Sequence, residues 1–346
     1  MGGAGRRGGD VKKAGCLRYA LHAAVLAGLI LAGMKYVNGD ALEVALRRFD
    51  WRWAPLIALL GLASLLIKGG RFVFLLREMT SASRWTVLKA YVAGQACVLV
   101  PGGVAARAGI LEQIDVPVAK SAAAIALSSL SDQAMFFLCV LVGAFWFEPA
   151  RRPVFIFLIG LTILSILLGI QATRTWLLGV IEWLLGRFKL ARHWRGFLQS
   201  LQQVATPGVL LVGLLNAACA FVLLVVALHL SCRGVGAAGI PWSTLLLAFT
   251  LPTMLGRISA MPGGVGVTEA GMVGILDHAE GVTLDQAAAA VIVFRIGTVL
   301  IPAVVGGLVY WLGWHGSRER RVSSSDKSSE AVGETAVTVS PGAALQ

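Results

Sequence analysis

The sequence predicts an all-α membrane protein: a polytopic helical bundle with about six full spans and two re-entrant helical loops, arranged as an inverted repeat. Three observations predict this class. The 346 residues are 57% hydrophobic and 14% charged, whereas soluble domains contain roughly 25% charged residues. Apolar runs of roughly 20 residues recur, enough to cross a hydrocarbon core of about 30 Å. A Pro-Gly-Gly-Val segment occurs twice, at 101–104 and 262–265.

The apolar runs place the spans along the chain. A first span at about 19–37 follows several basic residues, which put its N-terminal side in the cytoplasm. The second span ends near residue 67, and Lys68 and Arg71 just after it are expected to reach the interface along their apolar stems. Residues 171–206 mix tryptophans with basic residues and are predicted to lie on the membrane surface. Further spans are predicted at about 53–67, 122–147, 154–170, 208–230 and 287–312.

The predicted domain organisation follows from these spans. A basic cytoplasmic N-terminus, residues 1–18, precedes a transmembrane domain that covers 19–315. This domain has two halves, about 19–147 and 154–315. Residues 316–346 lack apolar periodicity and are predicted to be a disordered cytoplasmic tail. We expect a multi-pass protein of the plasma (inner) membrane with both termini in the cytoplasm.

Membrane topology also explains the net charge of +12. Most basic residues lie in short loops between apolar runs, which is typical of cytoplasmic loops. Such loops attract anionic headgroups by about 1 kcal/mol per basic residue near the surface. We therefore expect membrane lipids as partners, above all anionic phospholipid headgroups, and no nucleic acid. The five cysteines are dispersed without a CxxC pair, and we predict no metal and no cofactor.

Two stretches, 88–118 and 243–281, begin apolar but do not continue as simple spans. They are interrupted by Pro-Gly-Gly triplets, namely Pro101, Gly102 and Gly103 in the first and Pro262, Gly263 and Gly264 in the second. A helix is expected to stop at each triplet, because proline lacks a backbone donor and glycine tolerates unusual dihedral angles. Irregular backbone at membrane depth must be buried in protein or line a cavity. We therefore predict two re-entrant loops whose triplets line a lipid-binding cavity. Close packing of helices is the alternative role of their glycines.

The two halves are predicted to contain the same elements in opposite orientation. With the basic loops in the cytoplasm, the first re-entrant loop enters from the cytoplasmic side and the second from the outer side. Each is followed by one long span, and VPVAKSAAA at 116–124 is similar to VTLDQAAAA at 282–290. An inverted repeat with broken helices near the midplane is the plan of many transporters.

Ionisable residues in or beside the apolar runs are the candidates for binding, since a charge in hydrocarbon costs several kcal/mol unless it faces a partner or a cavity. The candidates are Arg107, Asp132, Arg257, Glu269 and Arg295. One interpretation is a polar cavity in which an arginine binds a lipid phosphate through its planar fork of donors. The other is that Asp132–Arg107 and Glu269–Arg295 are ion pairs that hold the bundle together. The two interpretations are compatible.

Several segments together resemble a known family. They are LVPGGVAARAGIL at 99–111, SDQAMFF at 131–137, MPGGVGVTEAGMVGIL at 261–276 and VFRIGTVLIPAVVGGL at 293–308. The chain is similar, over about 15–315, to the transmembrane flippase-like region of lysylphosphatidylglycerol synthases, which also occurs as stand-alone membrane proteins. In the bifunctional members this region moves an aminoacylated phospholipid between leaflets, and a separate soluble domain makes that lipid.

The resemblance implies a lipid cargo and three site residues, Arg107, Glu269 and Arg295, by their match to the family's motifs. The first loop has Ala105 and Ala106 where an acidic residue often follows the family's triplet. A proton or headgroup role for that loop therefore does not carry over. After residue 314 the sequence predicts only the tail, so synthase activity is not expected, and the identity of the lipid does not carry over either.

The function predicted from the sequence is a lipid flippase-like transporter that moves a phospholipid or another anionic or lipid-linked molecule between leaflets. We expect no enzyme activity, since HExxH, GxSxG and P-loop motifs are absent from the sequence. Two alternatives remain. One is a membrane transferase that uses a lipid-linked donor at the acidic segment Asp40, Glu43 and Asp50, although an amphipathic surface helix also explains that segment. The other is a non-catalytic subunit of a lipid or glycolipid synthesis complex. Expected protein partners are a second copy of the chain or a lipid-synthesis enzyme.

Overall fold

The structure is a computed structural model, and its described part is entirely helical. It describes residues 39–77, 80, 82–99, 103–112, 116, 118–146, 197–201, 205–237, 239–259 and 262–312, with isolated positions between 152 and 179. No strand occurs in those ranges. The predicted N-terminus 1–18, the first span 19–37, the tail 316–346 and most of 154–170 and 171–206 lie outside the described residues.

The described ranges contain nine α-helices with defined bounds. They are α1 (Gly39–Arg47), α2 (Ala54–Leu76), α3 (Arg84–Ala93), α4 (Gly103–Glu112), α5 (Val118–Trp146), α6 (Pro207–Gly234), α7 (Trp242–Ile258), α8 (Val267–Asp277) and α9 (Leu284–Arg295). Three short 3-10 segments lie at Trp51–Trp53, Gly94–Leu99 and Pro262–Gly264. Helix α9 continues through a π-helical turn at Ile296–Leu300, so that one helical stretch reaches Leu312.

Several helices begin where the sequence supplies capping groups. The hydroxyl of Thr206 accepts a hydrogen bond from the Val209 amide at the start of α6, and Pro207 occupies the first turn. Thr283 and Gln286 form a reciprocal capping box at the start of α9. Both arrangements satisfy amides that have no partner inside the helix.

Four helical stretches are long and apolar enough to cross a membrane. They are Trp51–Leu76, Lys120–Gly143, Pro207–Gly234 and Leu284–Leu312. They coincide with the predicted spans 53–67, 122–147, 208–230 and 287–312. The prediction of an all-α polytopic helical bundle is therefore confirmed.

The second predicted span is too short at its C-terminal end. Helix α2 does not stop near residue 67 but continues to Leu76. The basic residues Lys68 and Arg71 therefore belong to the helix and not to the loop after it. The five residues that follow Arg71 are apolar, and Phe72, Leu75 and Leu76 are buried. Burial of these side chains stabilises the continuation of the helix.

Helices α2 and α6 pack side by side in opposite directions. Arg71 donates to the carbonyl of Gly213 at 3.4 Å, and Asn216 donates to the carbonyl of Ile67 at 3.0 Å. Farther along, the amide of Asp50 donates to the carbonyl of Gly234 at 2.8 Å. These contacts define two ends of the bundle. The Trp51 end contains the start of α2 and the end of α6, and the Leu76 end contains the opposite termini.

Helices α7 and α8 form a hairpin around the second triplet. Near the turn, Gly256 lies against Gly264 and Thr268, and farther away Gly271 lies against Pro252. Helix α7 follows the end of α6, and at the start of α9 Gln286 donates to the carbonyl of Val235. Both open ends of this hairpin therefore lie at the Trp51 end of the bundle.

Helices α3 and α4 form the corresponding hairpin in the first half. Its open ends lie at the Leu76 end, where Leu76, Val87, Leu111 and Val116 share one buried cluster. The 3-10 segment Gly94–Leu99, just before the first triplet, contacts the 3-10 segment Pro262–Gly264. The two hairpins thus open at opposite ends of the bundle and meet at their tips.

Candidate functional site: two ion-pair sites beside the broken helices

The first site is a cluster of three charged side chains, Arg71 on α2, Asp132 on α5 and Arg257 on α7, which we call the Asp132 cluster. Arg71 is 2% exposed. Its Nη2 donates to Asp132 Oδ1 at 2.7 Å and to Ser128 Oγ at 2.8 Å. A buried guanidinium needs such partners, since an unpaired buried charge is costly. Arg71 on α2 therefore contacts two other helices, because it also donates to the carbonyl of Gly213 on α6.

Arg257 approaches the same carboxylate more loosely. Its Nη2 lies 3.4 Å from Asp132 Oδ2, and its side chain is 36% exposed, against 1% for the side chain of Arg71. The guanidinium also lies over the ring of Phe136, 4.7 Å from its centroid, which is a favourable cation–π geometry. Two guanidinium groups thus share one carboxylate, but only one of them is enclosed.

A small cleft opens beside Asp132. Its lining combines two charged residues with an apolar wall, namely Lys68 and Asp132 with Met135, Phe136, Ala217, Phe221 and Leu224. Three buried polar atoms on the neighbouring helices have no hydrogen-bond partner among the described residues: Arg71 Nε, Gln133 Oε1 and Asn216 Oδ1. The lining of the cleft therefore combines charged and apolar side chains.

The second site is Glu269 on α8 with Arg295 on α9, which we call the Glu269 pair. Arg295 Nε donates to Glu269 Oε1 in a short ion pair. Glu269 Oε2 accepts a hydrogen bond from the Gly266 amide at 2.6 Å, and Arg295 Nη2 donates to the carbonyl of Gly263 at 3.3 Å. Both side chains therefore hold the backbone of the turn as well as each other.

The turn itself requires glycine. Gly263, Gly264 and Gly266 have φ angles of 61°, 68° and 87°, a region that residues with a side chain adopt at a cost of about 1–2 kcal/mol each. The triplet thus ends α7 and lets the chain reverse within a few residues. Because Glu269 lies in the first turn of α8, its carboxylate caps the new helix, which is also favourable for the helix dipole.

The structure brings together some of the predicted site residues and separates others. Glu269 and Arg295 form the expected pair. Asp132 contacts Arg71 and Arg257, and its expected pair with Arg107 stays a prediction. The side chains of Arg107 and Pro262 lie outside the described residues, as do Pro101 and Gly102 entirely, and Gly103 begins α4. The binding roles of all these residues stay predictions.

The main residue that sequence reasoning misses is Arg71. The expectation that it extends to the interface is wrong, because the guanidinium is buried against Asp132 and Ser128. The signal is the apolar run FVFLL that follows it at 72–76. An apolar run directly after an arginine indicates a span that continues past the charge, so that a partner inside the bundle is needed.

The acidic segment before α2 has local structural contacts. Glu43 pairs with Arg47 one turn later at 2.8 Å, and both side chains are exposed. The carboxylate of Asp50 accepts a hydrogen bond from the Arg52 amide and caps the 3-10 segment at Trp51–Trp53. The side chain of Asp40 lies outside the described residues. These contacts are those of a surface helix and its exit turn.

Four helical stretches long enough to cross a membrane, a helix break at the second Pro-Gly-Gly triplet and ion pairs between helices define a polytopic membrane protein. The chain belongs to the lysylphosphatidylglycerol synthase TM region family, whose family model matches residues 19–306. A search among curated proteins finds no match to the chain. The family and the helices together identify a lipid-related membrane protein, in agreement with the resemblance drawn from the motifs.

Proposed function

We propose that the protein is a lipid flippase-like transporter of the plasma membrane, which moves a phospholipid or another anionic or lipid-linked molecule between leaflets. One observation carries the proposal: two helical hairpins open at opposite ends of the bundle and meet at their tips. In a bilayer, we expect this arrangement to bring irregular, polar backbone into the membrane from each side through a different half. Transporters with inverted repeats use such broken helices to bind substrate.

The depth of the second hairpin supports this proposal. Helix α7 starts at Trp242, and Arg257 lies near its other end. At 1.5 Å per residue the helix carries Arg257 about 22 Å from the Trp51 end, which is most of the way across a hydrocarbon core of about 30 Å. The turn at Pro262–Gly264 lies beyond it. If the Leu76 end faces the cytoplasm, as its basic residues favour, the second hairpin is re-entrant from the outer side and the first from the inner side.

In this proposal the two ion-pair sites have different tasks. The Glu269 pair keeps the second turn in its reversed conformation, and the Asp132 cluster supplies charge beside an apolar wall. An amphiphile needs both, because its headgroup must be compensated while its acyl chains remain in an apolar environment. No covalent step is required of the protein.

Transport is tested with the full chain in liposomes that contain a fluorescent phospholipid in both leaflets. A membrane-impermeant quencher first bleaches the labelled lipid in the outer leaflet. Where the protein moves lipid between leaflets, a second phase bleaches the labelled lipid that began in the inner leaflet. Glu269→Gln and Arg295→Gln should slow this second phase about tenfold or more, since each loses a charge-assisted contact. The proposal is contradicted if the second phase is no faster with wild-type protein than in empty liposomes for every phospholipid tried.

A matched variant separates the transporter from the two alternatives. Replacing Asp40, Glu43 and Asp50 together by amides should leave transport unchanged, because the side chains of Glu43 and Asp50 contact residues within one turn. Loss of function in that variant, with Glu269→Gln and Arg295→Gln unaffected, supports a transferase at the acidic segment. Loss of a lipid-synthesis activity in cells without any change in lipid movement supports a non-catalytic subunit.

A further inference from the structure

Helix α7 has a weak point near its middle. Pro252 lies inside the helix and has no amide hydrogen to donate to the carbonyl of Ala248, four residues earlier. The hydroxyls of Thr250 and Thr253, on either side of it, each donate to the carbonyl four residues before them. Such side-chain bonds compete with the amide bonds of a helix and commonly bend it. Pro252 therefore lies where α7 bends most readily.

The part of α7 before Pro252 is fixed to α5 by apolar packing. A Cβ atom on Gly143 of α5 would lie only 2.6 Å from the side chain of Leu247, so the two helices are in close contact there. Phe249 packs edge-on against Phe136 of α5, with 5.9 Å between the ring centroids. Leu247 and Phe249 are both buried. Movement of this part of α7 away from α5 would lose these van der Waals contacts.

The part of α7 beyond Pro252 contacts α5 through a charged side chain. Arg257 reaches Asp132 at 3.4 Å and lies over the ring of Phe136, and 36% of its side chain is exposed. At about 22 Å from the Trp51 end, its guanidinium can reach the opposite interface along its apolar stem when the contact with Asp132 breaks. This contact can therefore open at a small cost in free energy.

Helix α9 holds the same end of the hairpin more firmly. Arg295 Nη2 donates to the carbonyl of Gly263 at 3.3 Å, and Arg295 Nε donates to Glu269. Glu269 in turn accepts from the Gly266 amide at 2.6 Å. Because several charge-assisted bonds act together here, they are harder to break than the one longer contact with Asp132.

The end of α7 and the turn after it form one unit, which we call the hinged tip and define as Thr253–Ile258 with residues 262–266. A Cβ atom on Gly256 would lie 3.3 Å from the Cα of Gly264, so the two strands of the tip touch through their backbones. The tip contacts the first hairpin at the 3-10 segment Gly94–Leu99. A movement of the tip therefore changes the contact between the two hairpins.

Building on the proposed function, we propose that the hinged tip is a gate. It pivots at Pro252, and Arg257 leaves Asp132 while the turn keeps its contacts with Arg295. The pivot separates the tip from α5 and from the segment Gly94–Leu99, so that a path opens between the two hairpins. Arg71 stays on Asp132 throughout, which leaves the rest of the bundle in place.

Hydrogen–deuterium exchange of the full chain in lipid nanodiscs tests the hinge. Arg257→Gln releases the tip from α5, so amides at 253–258 should exchange about two- to fivefold faster, the range for loss of a partly exposed ion pair. Pro252→Ala restores the missing amide donor and should slow the same amides about tenfold. Pro241→Ala is the matched control, because Pro241 precedes the first turn of α7, where no helical bond is lost. It should leave these amides unchanged.

The double variant Pro252→Ala, Arg257→Gln separates a hinge from a local loss of stability. A hinge predicts that the double variant exchanges as slowly as Pro252→Ala alone, since the straightened helix holds the tip in place without the contact to Asp132. Independent structural roles predict that the two effects add. Additive effects overturn the inference, as does an unchanged exchange rate in both single variants.

Distances between spin labels measure the direction of the movement. The labels occupy exposed positions in a full chain whose native cysteines are replaced by alanine: Leu255 on the tip, with either Leu130 on α5 or Ile292 on α9. In Arg257→Gln the distance from Leu255 to Leu130 should lengthen, and that from Leu255 to Ile292 should stay the same. A change in the distance to Ile292, or none in the distance to Leu130, overturns the inference. The exchange measurement, made with the native cysteines, decides if the labelled chain does not fold.

Transport in liposomes separates the gate from the proposed function. Pro252→Ala should slow the second bleaching phase about tenfold, in proportion to its effect on exchange. A wild-type rate in Pro252→Ala overturns the gate even if the tip moves. The predicted exchange and distances in a protein that moves no lipid overturn the proposed function and leave the hinge standing.

Discussion

The Asp132 cluster and the Glu269 pair both consist of arginine–carboxylate contacts, but they join residues at different separations along the chain. Arg71 and Asp132 are 61 positions apart and Arg257 and Asp132 are 125 apart, whereas Glu269 and Arg295 are separated by only 26. The cluster connects helices from both halves of the chain. The pair connects two consecutive helices with the turn that precedes them.

This difference indicates which part of the molecule each site stabilises. The Asp132 cluster encloses one of its cations almost completely, so its loss should affect the bundle as a whole. The Glu269 pair is partly accessible, with side-chain exposures of 29% for Glu269 and 17% for Arg295. Its loss should affect one turn. Substitutions at the two sites can therefore separate global stability from local conformation.

The largest expected effect is that of Arg71→Gln. It removes the shortest ion-pair contact of Asp132, and removing one partner of a buried ion pair typically costs about 3–5 kcal/mol. Thermal or denaturant unfolding in detergent measures the loss. The double variant Arg71→Met, Asp132→Leu is the control, and it should recover much of the stability because no buried charge then lacks its partner. A single variant as stable as wild type would show that the cluster does not hold the halves together.

The next effect is expected at the turn, from Gly264→Ala. Gly264 has a φ of 68°, and an added Cβ would lie 2.7 Å from Thr268 Oγ and 3.2 Å from the backbone of Gly256. We expect a loss of more than about 2 kcal/mol, since backbone strain of about 1–2 kcal/mol adds to the overlap. Gly263→Ala is the matched comparison, because Gly263 has a similar φ of 61° but is exposed. The same unfolding measurement should rank Gly264→Ala below Gly263→Ala in stability.

A smaller effect on stability is expected for Glu269→Gln. The amide oxygen can still accept from the Gly266 amide, so only the charge attraction to Arg295 is lost. We expect a cost of about 0.5–2 kcal/mol, in the range of helix-cap substitutions. Protease accessibility of the turn at 259–266 should increase more than the global stability falls. A global loss as large as that of Arg71→Gln would remove the distinction between the two sites.

The smallest effect is expected for Arg257→Gln, although it touches the same carboxylate as Arg71→Gln. Because the side chain is partly exposed and its contact is long, the loss should be about 0–1 kcal/mol. The difference between the unfolding free energies of the two variants measures how unequally the two arginines contribute to stability. Equal losses would indicate that both arginines are fixed structural partners.

The sequence predicts the large elements of this fold well. Four of the predicted spans coincide with helices that can cross a membrane. Hydropathy predicts them because a helix must be apolar over about 20 residues to cross the hydrocarbon core. The sequence also predicts the helix break at Pro262–Gly264, since proline and glycine act locally. Structural features that depend only on neighbouring residues can be predicted from the sequence.

The ion pairs illustrate where prediction ends. Glu269 and Arg295 lie on successive helices around one turn, and the sequence predicts their pairing. For Asp132 the sequence predicts Arg107 as a partner, and that pair stays a prediction. It does not predict the two partners that the structure shows, Arg71 on an earlier helix and Arg257 in the other half. Basic residues after an apolar run usually mark a cytoplasmic loop. Only the three-dimensional packing shows that α2 carries Arg71 into the bundle.

The burial of Arg71 also constrains how the protein is made. Synthesis proceeds from the N-terminus, so α2 reaches the membrane before Ser128 and Asp132 exist, and Gly213 and Arg257 follow later still. An arginine in a newly inserted helix costs about 2.5–3.5 kcal/mol until it finds a partner. The nascent α2 should therefore stay shallow, or close to the insertion machinery, until α5 arrives. The cluster is complete only when residue 257 of 346 has been added, which makes it a late checkpoint of assembly.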